Sequence, residues 1–589
     1  MSRFPNAHVH RVTDRHTPSV DGGFRPILWV VGLTLACSGL LELYRPLFYL
    51  VDDNLVGVLP MLTESNRRLW SGQWPFVSES IFGGQFALLR DPGAFSMLGP
   101  WNLLWSWLSV TPYAHWLMEA LSISHAVTVA AAFTWSACWA RKAYDLETPD
   151  WLIAVLGLSY ACTPYNLIIG GMWIGFLNVQ ASLPVALVGM VHARSRTGIL
   201  LIAGSAVYAL FGGHAHAFTM FVLVLGVSAV ALSLTLHRVT PVTRLLIAGV
   251  GVIALTMPLL WTALNSMRGT ERFAGLPATV ITRGRLPMVP QLLGYLAGPA
   301  GAFAAMKMGI TRDWIFWFGG LLCSSIINVL AVVSLGAAVR QRIVSRAMLY
   351  WGCVVLLVMI FMARPDWAVA SIGQAPLLRS LRFPFREAWV VVAALHGVAL
   401  WYGGRLRACS RWLSVAVGMA CVIPYLFPLE IFRTYAIDRH LIMSGAAARY
   451  WQALGVHEGI PRRRLIVGGD SALIKQSIDS LPHAVLGTFN FPALYHLTSE
   501  SGYTIIPAVR VARADLGAQP VSFSGAFSRE DATRIAAADP DRWLVLIERV
   551  HPVEWTVRQG TTIRRFRLVS DEYRIEEIRQ APSLHTFFP

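Results

Sequence analysis

The sequence predicts an all-α polytopic membrane protein of about eleven transmembrane helices, followed by a C-terminal mixed α/β domain outside the membrane. Three observations predict it. The 589 residues are 55% hydrophobic and only 14% charged, far below the roughly 25% charged residues of an average soluble domain. The charge is also uneven: 35 of the 157 residues from Arg433 onwards are Lys, Arg, Asp or Glu, against 47 of the 432 before it. Before that break, finally, the apolar residues come in runs long enough to cross about 30 Å of hydrocarbon. The chain therefore divides into an N-terminal tail over 1–26, a membrane domain over 27–432 with a first external loop over 51–95, and a soluble domain over 433–589.

Apolar runs of about 17 to 25 residues place spans near 27–50, 112–139, 149–169, 172–193, 198–213, 217–236, 245–265, 314–338, 347–363, 387–403 and 412–432. Within the first loop, Leu59 to Trp70 is apolar at spacings of three and four, with Glu64, Arg67 and Arg68 on the other side. That pattern predicts an amphipathic helix lying on the membrane surface. The run from Phe95 to Val110 is too short and too punctuated by Pro and Gly to cross, so it reads as a shallow or re-entrant helix, with Trp101, Trp105 and Trp107 at the interface. In the tail, apolar and polar residues alternate over Trp543 to Ile547, Trp555 to Arg558, Thr562 to Leu568 and Tyr573 to Ile578, which predicts strands. Helical patterns over Ala472 to Ile478 and Ser528 to Ala538 make the domain mixed.

The loops set the orientation. Arg3, Arg11, Arg15 and Arg25 precede the first span, and every second connection is basic: Arg141 with Lys142, Arg194 with Arg196, Arg238 with Arg244, Arg340 to Arg346, and Arg405 to Arg411. Positive loops stay cytoplasmic, so the N-terminus is expected inside and the tail outside, and the first span, lacking a cleavage site, is expected to be retained. A net charge of +16 held in such clusters excludes a nucleic-acid partner and points to membrane lipids. All seven cysteines lie in or beside apolar spans, which leaves neither a disulfide framework nor a zinc spacing.

Chemistry is expected on the external loops, where polar Gly- and Pro-rich segments sit on a rigid scaffold. Asp52 and Asp53 leave the first span side by side. At a low-dielectric boundary such a pair supplies a general base, a ligand for a divalent cation, or simply two solvated charges that end the helix. His214 and His216 flank a turn between two spans and either contact a phosphate, share a metal, or serve as hydrogen-bonded turn residues. Arg268 and Arg272, with Arg283, Arg285 and Arg312, lie in an external loop against the positive-inside trend, and guanidinium forks there suit phosphate oxygens or lipid headgroups. Arg382 and Arg386 flank Pro384, which predicts an extended step that aims both at one phosphate; otherwise they anchor to headgroups or pair with Asp366 or Glu387. Glu42 and Arg45 read as a pair along the first span, and Arg462-Arg463-Arg464 as the start of a strand.

Several of these segments are similar to those of one family. The acidic pair, the amphipathic helix, Ser71-Gly72-Gln73-Trp74-Pro75, Ile81-Phe82-Gly83-Gly84 and Asp91-Pro92-Gly93 before Pro100-Trp101-Asn102 resemble the first external loop of the YfhO-like membrane proteins. Phe211-Gly212-Gly213-His214 resembles that family's Gly-Gly-His turn, Arg382-Phe383-Pro384-Phe385-Arg386 its Arg-x-Pro-x-Arg step, and Asn490-Phe491-Pro492 with Ser501-Gly502-Tyr503 its external tail. Glu79 and Asp91 stand where Asn-like residues are expected, which leaves the sugar open.

The resemblance implies a GT-C fold and an inverting glycosyltransferase of a bacterial cytoplasmic membrane. Its donor would be a polyprenyl-phosphate sugar, its acceptor a cell-envelope glycan or lipid, and Asp52 or Asp53 its base. The competing expectation is a non-enzymatic transporter or flippase of lipid-linked saccharide, which would carry broken spans or repeat symmetry between halves. A third is a scaffold whose tail binds envelope partners.

Overall fold

The computed structural model describes residues 24–44, 46–50, 53–80, 86–87, 92–108, 116–163, 165–167, 170, 173–267, 325–340, 346–372, 384–403, 436–457, 461–470, 480–489, 491–495, 497–499, 527–539, 541–550, 552–569 and 572–578. These residues are mostly helical up to Gly403, apart from the antiparallel pair β1 (Val77–Ser78) and β2 (Phe86–Ala87), and end in a six-stranded sheet. Among the described residues four helical stretches are long and apolar enough to cross a membrane: Phe24–Tyr44, Glu119–Tyr144, His216–Leu236 and Thr240–Thr262. Shorter apolar helices pack among them.

Helix α1 (Phe24–Tyr44) buries Pro26, Val30, Thr34, Ser38 and Leu41, a stripe at helical spacing that includes two hydroxyls, and turns Leu28, Trp29, Leu33, Leu40 and Leu43 outwards. Polar and small residues inside with large apolar ones outside is the reverse of a helix in water, and suits lipid. The stripe packs on α4 (Trp116–Tyr144) and α5 (Asp150–Ala161). Helix α6 (Gly175–Val191) lies against α4 and pairs closely with α7 (Ser195–Leu210). Helix α8 (Ala215–Leu236) packs on α6, and α9 (Thr240–Met267) on α7 and α8. Helices α10 (Ser325–Arg340) and α11 (Arg346–Ala363) flank α13 (Ala388–Gly403), with the short α12 (Asp366–Ile372) following α11.

Three of the basic connections, those at Arg141, after α6 and at Arg244, gather at one end. Arg141 pairs with Asp150, Thr148 Oγ1 donates to Leu400 O at 2.8 Å, His192 stacks on Trp139 at 6.0 Å, and Arg244 Nη1 donates to His192 O at 2.6 Å. The ends of α4, α6 and α13 and the starts of α5 and α9 thus meet there. The first loop, and the turns before α6, α8 and α13, lie at the other end.

Three expectations need correction. The predicted amphipathic helix forms as α2 (Leu59–Trp70), but Leu59 to Asn66 are all buried, Glu64 included, because the tail, the turn at Pro75, Met97 and Asn102 cover it rather than a membrane surface. The predicted span to 169 stops at Ala161, since Asn166 Nδ2 donates to Tyr160 O at 2.5 Å and takes that carbonyl away from further helix. The first span ends at Tyr44 rather than 50, where Leu47 turns to a φ of +58°. Helix α3 (Pro100–Leu108) is indeed too short to cross, and its Trp101 and Trp105 indoles donate to Thr128 and Ser124 of α4. The predicted spans at 412–432 and, in part, at 314–338 lie outside the described residues, as does the helix at 472–478.

The tail begins with α14 (Ala436–Met443) and α15 (Ala446–Ala453). Its sheet has the order β4 (Leu497–Ser499), β3 (Arg463–Gly468), β5 (Trp543–Val550), β6 (Val553–Gln559), β7 (Thr562–Val569) and β8 (Arg574–Glu577), with β3 parallel to β4 and β5 and the rest antiparallel. Successive residues Leu465, Ile466 and Val467 are all buried, as befits a strand covered on both faces. One face takes Ala532 and Ile535 of α17 (Arg529–Ala537). On the other, Trp555 donates to Tyr450 Oη of α15 at 2.9 Å, and Trp451 to Ala484 O of the one-turn α16 (His483–Leu486) at 3.0 Å.

Candidate functional site

Asp53 opens a continuous helical run: a π-helical turn over Asn54–Val58 leads straight into α2. Such turns often mark functional positions. Asn54 is fully buried and binds as a clamp, with Nδ2 donating to Tyr49 O at 3.1 Å and Gly170 O at 2.9 Å while Oδ1 accepts from the Ile174 N–H at 3.2 Å. The clamp brings Trp173 over the carboxylate, and its indole N–H donates to Asp53 Oδ2 at 2.5 Å, with Asp53 8% exposed.

The Gly-Gly-His turn is built by close approach. A Cβ on Gly212 would meet Asn178 Cβ and Gly175 O at 2.8 Å, and Gly213 sits at φ +72°, where L side chains are strained. The turn delivers His214 to the start of α8, where Nδ1 accepts from the Ala217 N–H at 3.3 Å. That bond assigns the neutral ring's proton to Nε2. Arg386 Nη1 stands 3.4 Å from this Nε2, and its guanidinium lies 3.7 Å over the Trp173 ring. Two donors so placed share one acceptor, such as a phosphate oxygen. His216 Nε2 bonds Glu387 Oε1, and Glu387 Oε2 accepts from the Trp389 indole at 3.1 Å. Arg364 and Arg386 are both within electrostatic reach of this wholly buried carboxylate.

Asp53, His214, His216 and Arg386 therefore meet at one end of the bundle, joined by Trp173 and Glu387. Asp52, Arg268, Arg272 and Arg382 lie outside the described residues, as does Arg45. Arg386 departs from the expected extended step: Pro384–Glu387 is a 3-10 turn, started by the fixed φ of its proline, and Tyr165 Oη holds Arg386 O at 2.5 Å. Glu42 accepts from the Leu47 N–H at 2.9 Å, and Glu119 from the Tyr49 N–H at 3.3 Å, so both fasten the segment before Asp53.

Among the described residues no group of three or more His, Cys, Asp or Glu gathers to hold a metal. A cation shared by His214 and His216 would stand beside the Arg386 guanidinium, so the arrangement favours an anion. Sequence reasoning missed Trp173 and considered Glu387 only as an arginine partner. Their signals were slight: an aromatic in the Gly-rich break Gly170-Gly171-Met172-Trp173-Ile174-Gly175, and an acid at the foot of an apolar span.

Comparison of the sequence with models of known protein families and with curated proteins gives no match.

Proposed function

We propose that the chain is a multi-spanning glycosyltransferase of about eleven spans with a GT-C-type fold, akin to the YfhO-like proteins. It acts on the outer face of a bacterial cytoplasmic membrane, moving a sugar from a polyprenyl phosphate to a cell-envelope glycan or lipid. The observation that carries this reading is the meeting of Asp53, His214, His216 and Arg386, residues from three distant segments, through Trp173 and Glu387. A carboxylate held beside a guanidinium and an imidazole N–H is the pairing that an inverting displacement on a sugar phosphate needs.

In that displacement the acceptor oxygen bonds to the anomeric carbon as the bond to the phosphate oxygen breaks. Asp53 takes the hydroxyl proton, and the electron pair leaves with the polyprenyl phosphate. Arg386 and His214 stabilise the charge that develops on it, and Trp173 orients the Asp53 carboxylate while supporting the guanidinium from below. The test is Asp53→Asn, which keeps the side chain's shape but cannot accept the proton. Transfer from purified donor lipid should fall by about 10²- to 10⁴-fold with normal membrane insertion. Wild-type transfer in this variant would remove the base assignment, and a flippase would keep its translocation.

A further inference from the structure

The tail meets the first external loop through one buried node. Glu64 of α2, 1% exposed, accepts from Ser78 Oγ at 2.5 Å, the Glu79 N–H at 2.8 Å and Ser80 Oγ at 2.9 Å. Arg462 of the tail brings Nη1 to 3.4 Å from Glu64 Oε1 and also donates to Ser80 Oγ. Its Nε stands 3.6 Å from Glu79 Oε2, while Arg68 of α2 holds the other Glu79 oxygen at 2.5 Å. Two carboxylates and two guanidiniums thus balance.

Beside the node, β4 is the edge strand of the tail's sheet, and the loop adds to it. The Ser499 N–H donates to Ser80 O at 2.8 Å, and Thr498 Oγ1 to Glu79 O at 2.8 Å. Main-chain pairing of this kind gives a sheet edge a specific partner. Arg67 Nη1 reaches Ala493 O at 3.3 Å one helical turn further on.

Because the run from Asp53 to Trp70 is unbroken helix, what holds Glu64 also holds Asp53, about three turns away. Asn54 and Trp173 support the first turn from the bundle side; the tail supports the far end. We propose that Arg462 is a positioning residue of the active site: by locking Glu64 it fixes the helix that carries Asp53, and transfer runs at full rate only with the tail docked. This rests on the glycosyltransferase reading above. It assigns the soluble domain a part in catalysis without contact with the reacting atoms, since a misplacement of about 1 Å costs on the order of 10²-fold in rate.

The experiment uses the full chain in membranes. Arg462→Met should lower kcat by about 10- to 100-fold and leave KM for the donor within about threefold, because the donor phosphate is held at Arg386 rather than on α2. Arg462→Lys, which keeps the charge, should recover part of the rate. In the Arg462→Met background, Ser80→Cys with Ser499→Cys should form a disulfide on oxidation and raise kcat again, and reduction should reverse the gain; a merely unfolded tail would not respond. Wild-type kcat in Arg462→Met, or a cross-linked variant no faster than its reduced form, would overturn the proposal. Docking itself is read without donor, as the rate of cross-linking with Arg462 present. Fast cross-linking that slows on Arg462→Met supports the node even if the protein transfers no sugar, in which case only the functional reading fails.

Discussion

Trp173 serves two charged groups of opposite sign, its edge donating to Asp53 and its face lying under Arg386. The two contacts separate on substitution. Trp173→Phe keeps a ring beneath the guanidinium but loses the donor, so the carboxylate is no longer oriented. Transfer is expected to drop about tenfold or more, as the loss of a hydrogen bond to a charged group costs about 1.5 to 3 kcal/mol. Arg386→Lys keeps the charge and loses both the planar stack and the forked donors, and a reduction of about tenfold, about 1.4 kcal/mol on the barrier, is expected. Kinetics with purified donor lipid check both; wild-type rates in Arg386→Lys would reduce that residue to a generic cation. No pattern in one dimension foretold this use of Trp173. Asp53 and the histidines stood out by residue type and by motif, whereas the tryptophan acquires its role only when Asn54 binds Gly170 O and the Ile174 N–H on either side of it.

At the scale of elements, periodicity carried the reading wherever a segment has one partnered face. Helix α1 was legible only as an apolar run, whereas periodicity gave the alternation of β6 to β8. It failed where a polar side chain intervened, as Asn166 does at the end of α5, and where a partner came from far away, as the tail does over α2. Helix α17 illustrates a local signal that held. Ser528 caps it by accepting from the Asp531 N–H at 3.1 Å and donates to Asp531 Oδ2 at 2.8 Å, and these contacts with Arg534 hold the Asp531 carboxyl below its ordinary value. A carboxyl depressed in the folded state stabilises it above the unfolded value of about 3.9, and that contribution fades as pH falls through the lower folded value. The protection factors of α17 amides, which are exchange rates corrected for the intrinsic pH dependence, should therefore fall on acidification below about pH 4. Ser528→Ala should weaken the helix by about 1 kcal/mol at neutral pH and flatten that response. A pH dependence unchanged in Ser528→Ala would detach Asp531 from the cap.

Over the whole molecule, charge and hydrogen bonding agree on which ends belong together. The first loop and the tail are joined by Ser499 to Ser80, Thr498 to Glu79 and Arg462 to Glu64, so they share one side of any membrane the helices cross. The ion pair of Arg141 with Asp150 and the contacts of Arg244 with the end of α6 lie at the opposite end of the bundle. In the orientation proposed above the Asp53 end lies outside, and the Arg141 end would then be the cytoplasmic one, where positive loops are retained. It also follows that an odd number of spans separates the N-terminus from the tail if both the basic N-terminal segment and the docked tail are to be satisfied. The docking fixes the parity relative to the first loop: between α1 and the tail the chain must cross an even number of times. Reporter fusions at Tyr144 and at Gly455 should accordingly report opposite sides, and a fusion at Gly72 should match Gly455. Tyr144 and Gly455 on one side would contradict the bundle's polarity, while Gly72 and Gly455 on opposite sides would dissolve the Glu64 node and the role given to Arg462 with it.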